Sequence, residues 1–102
     1  MPEDRKIFQA FVYILTNDRD NVIYVGSTED LKKRIYFHKK GLIPGFTKKY
    51  NVQKLVHFEA YASVEQAQTR EKYLKTKTRA KKFALIKESN PDLAELTPEI
   101  TK

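Results

Sequence analysis

Two tyrosines stand in short apolar runs that a polar turn separates. Tyr13 lies in FVYIL and Tyr24 in VIYVGST, with NDRDN between the two runs. A phenol can act as a base near neutral pH when neighbouring positive charge lowers its pKa. Strand tyrosines are also ordinary core residues, so both interpretations stay open. Gly26 ends the second run, and a glycine there permits close backbone approach or a special turn.

An arginine and a histidine follow on the next predicted helix. Leu31 and Ile35 define the apolar edge of this helix. Arg34 and His38 lie four residues apart beside that edge, so both can face a cleft between helix and sheet. A guanidinium suits bidentate phosphate binding, and a histidine can relay a proton. The alternatives are a solvated cation for Arg34 and a partly buried helix residue for His38.

A glutamate on a later helix falls on an apolar stripe. Val64, Ala67 and Leu74 form this stripe. Glu71 lies four residues after Ala67 and three before Leu74, so its side chain is aimed inward. An unpaired inward carboxylate is costly. Glu71 therefore has either a cationic partner or a bound metal ion, and the spacing alone leaves both open.

Periodicity and turn residues predict the elements that position these side chains. Ser27 and Thr28 are the predicted caps of the first helix, and Ser63 is the predicted cap of the second. Asn90-Pro91 stops the third helix. The order is β-β-α-β-α-α, an α+β chain, with a basic, aromatic loop before the third strand. The predicted strands are 11–15, 22–26 and 52–61, the helices are 30–40, 64–77 and 79–89, and the loop is 41–51.

Length and composition favour a single domain over residues 1–102, with a core over about 8–91. We expect a short polar lead-in at the start and an acidic, loosely held tail after Pro91. Because cysteine is absent, disulfides, thiolate zinc sites and cysteine nucleophiles are excluded, which suits a cytoplasmic protein. No apolar stretch approaches the length of a membrane span, so no membrane contact is expected.

The charge balance favours a polyanionic partner. The chain has 20 Lys and Arg residues against 13 Asp and Glu, a net charge of +7. The basic residues concentrate between 29 and 54 and between 70 and 87, as expected of a surface that tracks phosphates. The alternative is that these segments are simply soluble, lysine-rich helices. The candidate nucleic-acid contacts are Lys33, Lys39, Lys48, Lys49 and Arg70.

Together these residues resemble the GIY-YIG nuclease domain. VYI at 12–14 and YVG at 24–26 have a spacer of nine residues between them, and Arg34 follows that second motif by eight residues. His38 comes four residues further on, and Glu71 lies in a later helix. The resemblance covers roughly residues 8–96. It is closest to the small stand-alone members that are related to the amino-terminal nuclease domain of the excinuclease.

The resemblance implies a small three-stranded sheet, mixed or antiparallel, flanked by helices. It also implies a metal-dependent endonuclease that hydrolyses DNA phosphodiester bonds. In this scheme Glu71 holds one Mg²⁺ or Mn²⁺ ion, and Arg34 binds the scissile phosphate. Tyr13 or Tyr24 deprotonates the attacking water, or His38 relays the proton instead.

Several positions depart from the family pattern. Phe11 replaces the glycine of GIY, and Ser27 follows YVG where the excinuclease type has a lysine. Leu93 stands where family members often have a tryptophan after the Asn-Pro pair. Asn90 resembles an asparagine near the end of the domain in some members and is a further candidate site residue.

Two other classes of function compete with the nuclease. A nucleic-acid-binding module that has lost catalysis predicts salt-sensitive binding without a metal-dependent product. A protein-interaction domain with an acidic partner predicts no salt-sensitive DNA binding, despite Phe46 and Tyr50 among the lysines of GFTKKYN. DNA is the partner expected first. We also expect a protein partner for targeting and a monomer or weak dimer.

Overall fold

A three-stranded antiparallel sheet with helices on both faces forms the fold, as the computed structural model shows for residues 8–100. The predicted α+β class is therefore confirmed, and the sheet is antiparallel rather than mixed. Residues 1–7 of the predicted lead-in lie outside the described part. The strands are β1 (Ala10–Thr16), β2 (Ile23–Thr28) and β3 (Lys54–Tyr61), in the order β2-β1-β3. The helices are α1 (Leu31–Lys39), α2 (Phe46–Lys49), α3 (Val64–Lys75), α4 (Arg79–Ser89) and α5 (Thr97–Ile100).

The hairpin between β1 and β2 is closed by an asparagine side chain. Asn17 Oδ1 accepts hydrogen bonds from the backbone N–H groups of Asn21 and Val22, at 2.9 and 3.1 Å. Such asparagine bonds replace backbone turn bonds. The resulting register pairs Tyr13 with Gly26, and Leu15 with Tyr24. The two tyrosines are therefore diagonal neighbours on one face of the sheet.

A β-bulge in β3 changes which side chains share a face. Ile14 pairs with His57 and Leu15 pairs with Leu55, so Val56 is an extra residue in β3. Val56 packs in the core cluster of Ile14, while Leu55 and Phe58 pack in the cluster of Tyr13. The sequence alone predicts strict alternation in this strand, which would place Val56 and Phe58 on the same face, and the bulge shows that this prediction is wrong.

The sheet separates two apolar cores. On one face, α3 and α4 contribute Ala67, Leu74 and Ile86 to the core. On the other face, α1 contributes Leu31 and Ile35, with the tail packed beside them. We call these the α3 face and the α1 face. In the described part of the chain, no helix is both long and apolar enough to cross a membrane.

Helix starts follow the capping rules, with one correction. Ser63 caps α3 as predicted, because its side chain accepts from the Gln66 N–H. The cap of α1 is Asp30, whose carboxylate accepts from the Lys33 N–H. Ser27, predicted as a cap, is instead part of β2 and leaves its hydroxyl free for another partner.

Two segments predicted to be irregular are ordered. The predicted loop at 41–51 contains the short helix α2, in which Thr47 contacts His38 and Phe46 stacks on Tyr24. The acidic tail is not loosely held: Leu93 is buried, and the Leu96 N–H donates to the Leu55 carbonyl at 2.7 Å. Glu95 accepts from the Leu55 N–H at 2.9 Å, which ties the tail to β3 a second time.

Candidate active site

Tyr13 is a buried phenol at the centre of the sheet. Its side chain is on the α1 face and is only 1% exposed. The ring lies over Gly26, where a Cβ atom would come within 2.6 Å of the Tyr13 hydroxyl oxygen. Gly26 therefore serves here to leave space for the phenol, and any larger residue would displace the ring.

His38 holds the hydroxyl of Tyr13. The Tyr13 hydroxyl and His38 Nε2 are 3.0 Å apart, and His38 Nδ1 is 3.1 Å from the Thr47 hydroxyl. Burial, followed by the positive charge of Arg34, lowers the pKa of His38 to about 4. The imidazole is therefore neutral at pH 7, and it donates through one nitrogen and accepts through the other.

Tyr24 completes a compact group of three rings. Its ring centroid lies 6.2 Å from that of Tyr13 and 5.8 Å from that of His38. The rings of Tyr13 and His38 are 5.7 Å apart. Burial, then the neighbouring Tyr24, raises the pKa of Tyr13, while the positive charge of Arg34 acts in the opposite direction. The Tyr13 phenol is therefore protonated in the resting protein.

Arg34 is a half-buried cation without an acidic partner in the described part of the chain. It lies on α1, one turn before His38. Its charge lowers the pKa of both Tyr13 and His38, which places the guanidinium in electrostatic range of both groups. A half-buried cation beside two neutral groups is an anion-binding arrangement.

Glu71 reaches the edge strand β2 from α3. Its Oε1 accepts from the Ser27 hydroxyl at 2.5 Å, and its Oε2 is 2.6 Å from Lys75 Nζ. Burial alone would raise the pKa of Glu71, but the bonds from Lys75 and Ser27 outweigh it and hold this pKa below its usual value. Of the two alternatives from the sequence, the cationic partner is present, and it is Lys75.

The tyrosines and Glu71 approach β2 from opposite faces. Ser27 pairs with Val12 on the α3 face, whereas Gly26 pairs with Tyr13 on the α1 face. The negative charge of Glu71 nonetheless raises the pKa of Tyr13, so the two groups are in electrostatic range. The two groups therefore approach the edge strand β2 at neighbouring residues, Tyr13 at Gly26 and Glu71 at Ser27.

A divalent cation fits the donor set around Glu71. Among residues 8–100 no three His, Asp or Glu side chains cluster as metal ligands. A single carboxylate suits Mg²⁺, which keeps several waters and takes the rest of its oxygen ligands from substrate phosphate. The Lys75 side chain is 51% exposed, so it can turn to solvent and release one carboxylate oxygen.

Two of the predicted nucleic-acid contacts are already paired. Arg70 donates to Glu59 through Nε at 2.9 Å and Nη2 at 3.1 Å. Lys39 Nζ binds Glu95 at 2.8 Å and the Gln53 carbonyl at 2.9 Å. These bonds offset the charge of both cations, and their role as nucleic-acid contacts stays a prediction. The remaining candidates are exposed and make no ion pair within residues 8–100; they are Lys33, Lys48 and Lys49.

Asn90 lies outside this group. It is buried at the end of α4, and its Nδ2 donates to the carbonyls of Val56 and Ala94. Its Oδ1 accepts from the Ala94 N–H at 3.0 Å. All of these partners are backbone atoms on the α3 face or in the tail. Asn90 therefore fastens the tail to β3.

Three partners of the site were missed in the sequence. The local sequence predicts Ser27 as a helix cap, but its hydroxyl binds Glu71. Thr47 lies in the predicted loop, and no local pattern indicates its contact with His38. Lys75 was detectable, because a lysine four residues after a glutamate on a helix is a standard ion-pair spacing.

Comparisons with known proteins agree on one family. A family model described as the GIY-YIG catalytic domain matches residues 9–84. A UPF0213 protein of Clostridium perfringens is 41% identical over 76 residues, covering 74% of this chain and 81% of that protein. A UPF0213 protein of Staphylococcus aureus is 38% identical over 78 residues, covering 76% of this chain and 94% of that protein.

A solved structure shows the same fold. The solution NMR structure of the UPF0213 protein BH0048 from Bacillus halodurans is similar with a TM-score of 0.54 and 29% identity. The match covers 91% of this chain and 97% of that chain. The family match, the sequence relatives and this fold lead to one conclusion: the chain belongs to the GIY-YIG catalytic domain family.

Proposed function

We propose that this protein is a cytoplasmic, metal-dependent endonuclease that hydrolyses DNA phosphodiester bonds. Membership of a nuclease domain family supports an endonuclease-type function and nucleic-acid binding in general. The observation that carries the finer proposal is the hydrogen bond between buried Tyr13 and His38, near Arg34, whose guanidinium has no acidic partner among residues 8–100. Phosphodiester hydrolysis needs an acceptor for a proton and a cation for the phosphate, and this group supplies both.

Arg34 is the proposed ligand of the scissile phosphate. Its guanidinium can donate two parallel hydrogen bonds to the non-bridging oxygens. The distribution of negative charge over these oxygens changes as the transition state forms. A cation that is already held in place stabilises that charge distribution. The partly buried position of Arg34 strengthens this interaction relative to a fully solvated lysine.

Tyr13 and His38 are proposed to move the proton of the attacking water. Tyr13 accepts this proton on its hydroxyl oxygen as its own proton passes to His38 Nε2. Before this transfer, Thr47 accepts from the Nδ1–H of His38 and so leaves Nε2 unprotonated, and the transfer converts His38 to the imidazolium. Because phosphate binding neutralises Arg34, it removes one of the two causes that lower the pKa of His38. Substrate binding therefore makes His38 a stronger base.

Glu71, with Ser27 beside it, is the proposed holder of one Mg²⁺ or Mn²⁺ ion. When bound, the ion supplies positive charge for the phosphate oxygens and the leaving group. Lys75 occupies one oxygen of Glu71 in the resting protein. Lys75 must therefore turn away before Glu71 can serve in this role.

Metal-dependent cleavage by a Glu71→Gln variant tests the proposal. Glu65→Gln is the matched control, because Glu65 is an exposed carboxylate on the same helix. With Mg²⁺ or Mn²⁺ and duplex, single-stranded, nicked and branched DNA, we expect cleavage by the wild type and the control. Loss of several kcal/mol of charge stabilisation predicts a rate at least about 10³-fold lower for Glu71→Gln. Full activity of Glu71→Gln would rule out the metal role of this residue.

A binding module without catalysis is the second candidate, and one observation favours it. Both oxygens of Glu71 are already bonded, one of them to Lys75 at 2.6 Å. If this pair persisted with substrate, the protein would bind nucleic acid in a salt-dependent manner and release no product. Product formation by the wild type that requires added metal separates the nuclease from this module.

A further inference from the structure

The short helix α2 presents two exposed aromatic rings next to the candidate site. Phe46 is 46% exposed and Tyr50 is 44% exposed. Their ring centroids are 5.0 Å apart. Phe46 also stacks on Tyr24, with centroids 6.4 Å apart and an interplanar angle of 26°. A continuous row of rings therefore leads from buried Tyr13 through Tyr24 to the surface.

The backbone under these rings is fixed by the site itself. Thr47, between the two aromatic positions, is buried, and its hydroxyl contacts His38 Nδ1 at 3.1 Å. The Val52 N–H donates to the Thr47 carbonyl at 2.9 Å and closes the segment. Because α2 is anchored at both points, the rings are held in place before any ligand arrives.

The charge around α2 suits a phosphate backbone. Lys48 and Lys49 are exposed on α2, and Lys49 Nζ lies 5.3 Å from the centre of the Tyr50 ring. From Leu31 to Phe58 the sequence contains no Asp or Glu. An exposed aromatic pair in a stretch without acidic residues suits a ligand that has both flat rings and negative charge.

We propose that Phe46 and Tyr50 form a stacking platform for an unpaired base of the DNA substrate, beside the phosphate that is cleaved. This inference rests on the proposed function. In a duplex the base faces are covered by their neighbours, so only an unstacked base can lie on an aromatic ring. The substrate class that follows is single-stranded DNA, or duplex DNA with a locally unpaired nucleotide.

Binding without cleavage tests the platform. The probe is a short single-stranded DNA oligonucleotide that carries the fluorescent base 2-aminopurine, studied in EDTA so that no metal-dependent step occurs. Its fluorescence is quenched when the base stacks on a ring. The variants are Phe46→Leu and Tyr50→Leu, which keep apolar volume but remove the ring. Tyr73→Leu is the matched control, because Tyr73 is 51% exposed with Lys77 Nζ 4.3 Å from its ring centre.

We expect quenching with the wild type and with Tyr73→Leu, and affinity for the single strand above that for the matching duplex. Each platform variant should bind the single strand at least about fivefold more weakly than the wild type. This factor corresponds to the lower end of the free energy of stacking one base on one ring. Circular dichroism checks that the variants fold. Unchanged affinity of both folded platform variants, or a duplex affinity equal to that of the single strand, would overturn the inference.

The two proposals fail in different ways. If the wild type cleaves DNA with metal but the platform variants still bind and quench normally, the platform is wrong and the nuclease stands. If the wild type quenches the probe and the platform variants do not, but DNA is not cleaved with either Mg²⁺ or Mn²⁺, the platform stands and the nuclease is wrong. If the aromatic pair is instead a protein contact surface, the variants leave DNA binding unchanged, which overturns the platform.

Discussion

Two clusters of similar side chains lie on opposite faces of the sheet. Each has an arginine, a histidine and at least one tyrosine, but only one has a carboxylate at its centre. The cluster on the α3 face, which we call the closed cluster, consists of His57, Glu59, Tyr61 and Arg70. The cluster on the α1 face, the open cluster, consists of Tyr13, Tyr24, Arg34 and His38.

In the closed cluster every charge has a partner. Glu59 accepts two bonds from Arg70, one from His57 at 2.8 Å and one from Tyr61 at 2.7 Å. Burial would raise the pKa of Glu59, but the bonds from His57, Arg70 and Tyr61 outweigh it and lower this pKa to about 2. Such a satisfied network stabilises the fold and has no free charge left for a ligand.

In the open cluster the arginine has no acidic partner among residues 8–100. Arg34 stands instead beside a neutral histidine and a protonated phenol. The difference between the clusters is thus one carboxylate. Where it is present the arginine is structural, and where it is missing the arginine can receive a phosphate.

Loss of the proton relay in the open cluster should slow cleavage strongly. Tyr13→Phe and His38→Gln should each reduce the cleavage rate by roughly 10²-fold or more, as for other acid–base groups. Because the two residues act as a unit, the double variant should be no slower than the slower single variant. Single-turnover cleavage rates measure this cycle. Tyr61→Phe, in the closed cluster, is the control and should keep the wild-type rate. If the rate loss of the double variant equalled the product of the two single losses, Tyr13 and His38 would act independently.

The closed cluster predicts a loss of stability without a loss of chemistry. Glu59→Gln removes several charge-assisted bonds and should lower the free energy of unfolding by about 1–3 kcal/mol at pH 7. Urea unfolding measures this change, and the cleavage rate per folded molecule should stay the same. In the wild type this contribution is present above pH 4.5 and is lost as the pH falls towards about 2. A variant as stable as the wild type at pH 7 would contradict this assignment.

His38 predicts a smaller effect in a different pH range. Its pKa falls from 6.5 in the unfolded chain to about 4 in the folded protein, so the unfolded chain binds more protons between these values. The stability that comes from the neutral ring is therefore complete above pH 6.5 and is lost as the pH falls towards 4. His38→Gln should flatten the wild-type stability curve in this range. The free energy of unfolding is measured by urea unfolding at several pH values. If it varied with pH between 4 and 6.5 in His38→Gln as it does in the wild type, His38 would not be buried as a neutral ring.

The sequence predicted the elements well where the signal was local. Alternating apolar runs indicated the strands, and the Ser63 cap and the Asn90-Pro91 stop bounded two helices. The bulge at Val56 was not predictable, because it depends on pairing with a strand far away in the chain. The order of the tail depends on Glu95, which bonds to Leu55 forty residues earlier.

The sequence predicts which residues belong to the site, but it does not predict which side chains bond to one another. Arg34 and Arg70 look alike in sequence, since both lie in basic helices. They differ in that Glu59, on β3, lies within bonding distance of Arg70 only after folding. Likewise, Thr47 meets His38 through a segment whose glycines and proline predicted a loop. Long-range contacts of this kind decide which cation is free, and local patterns do not contain them.

The most direct test of the account is the cleavage rate of Arg34→Ala compared with that of Arg70→Ala, each corrected for the folded fraction. We predict a loss of about 10²- to 10³-fold for Arg34→Ala, as for removal of one fixed transition-state donor. Arg70→Ala should unfold at lower urea concentration but cleave at the wild-type rate. Equal losses in the two variants, or a loss confined to Arg70→Ala, would contradict the assignment of the open cluster as the active site.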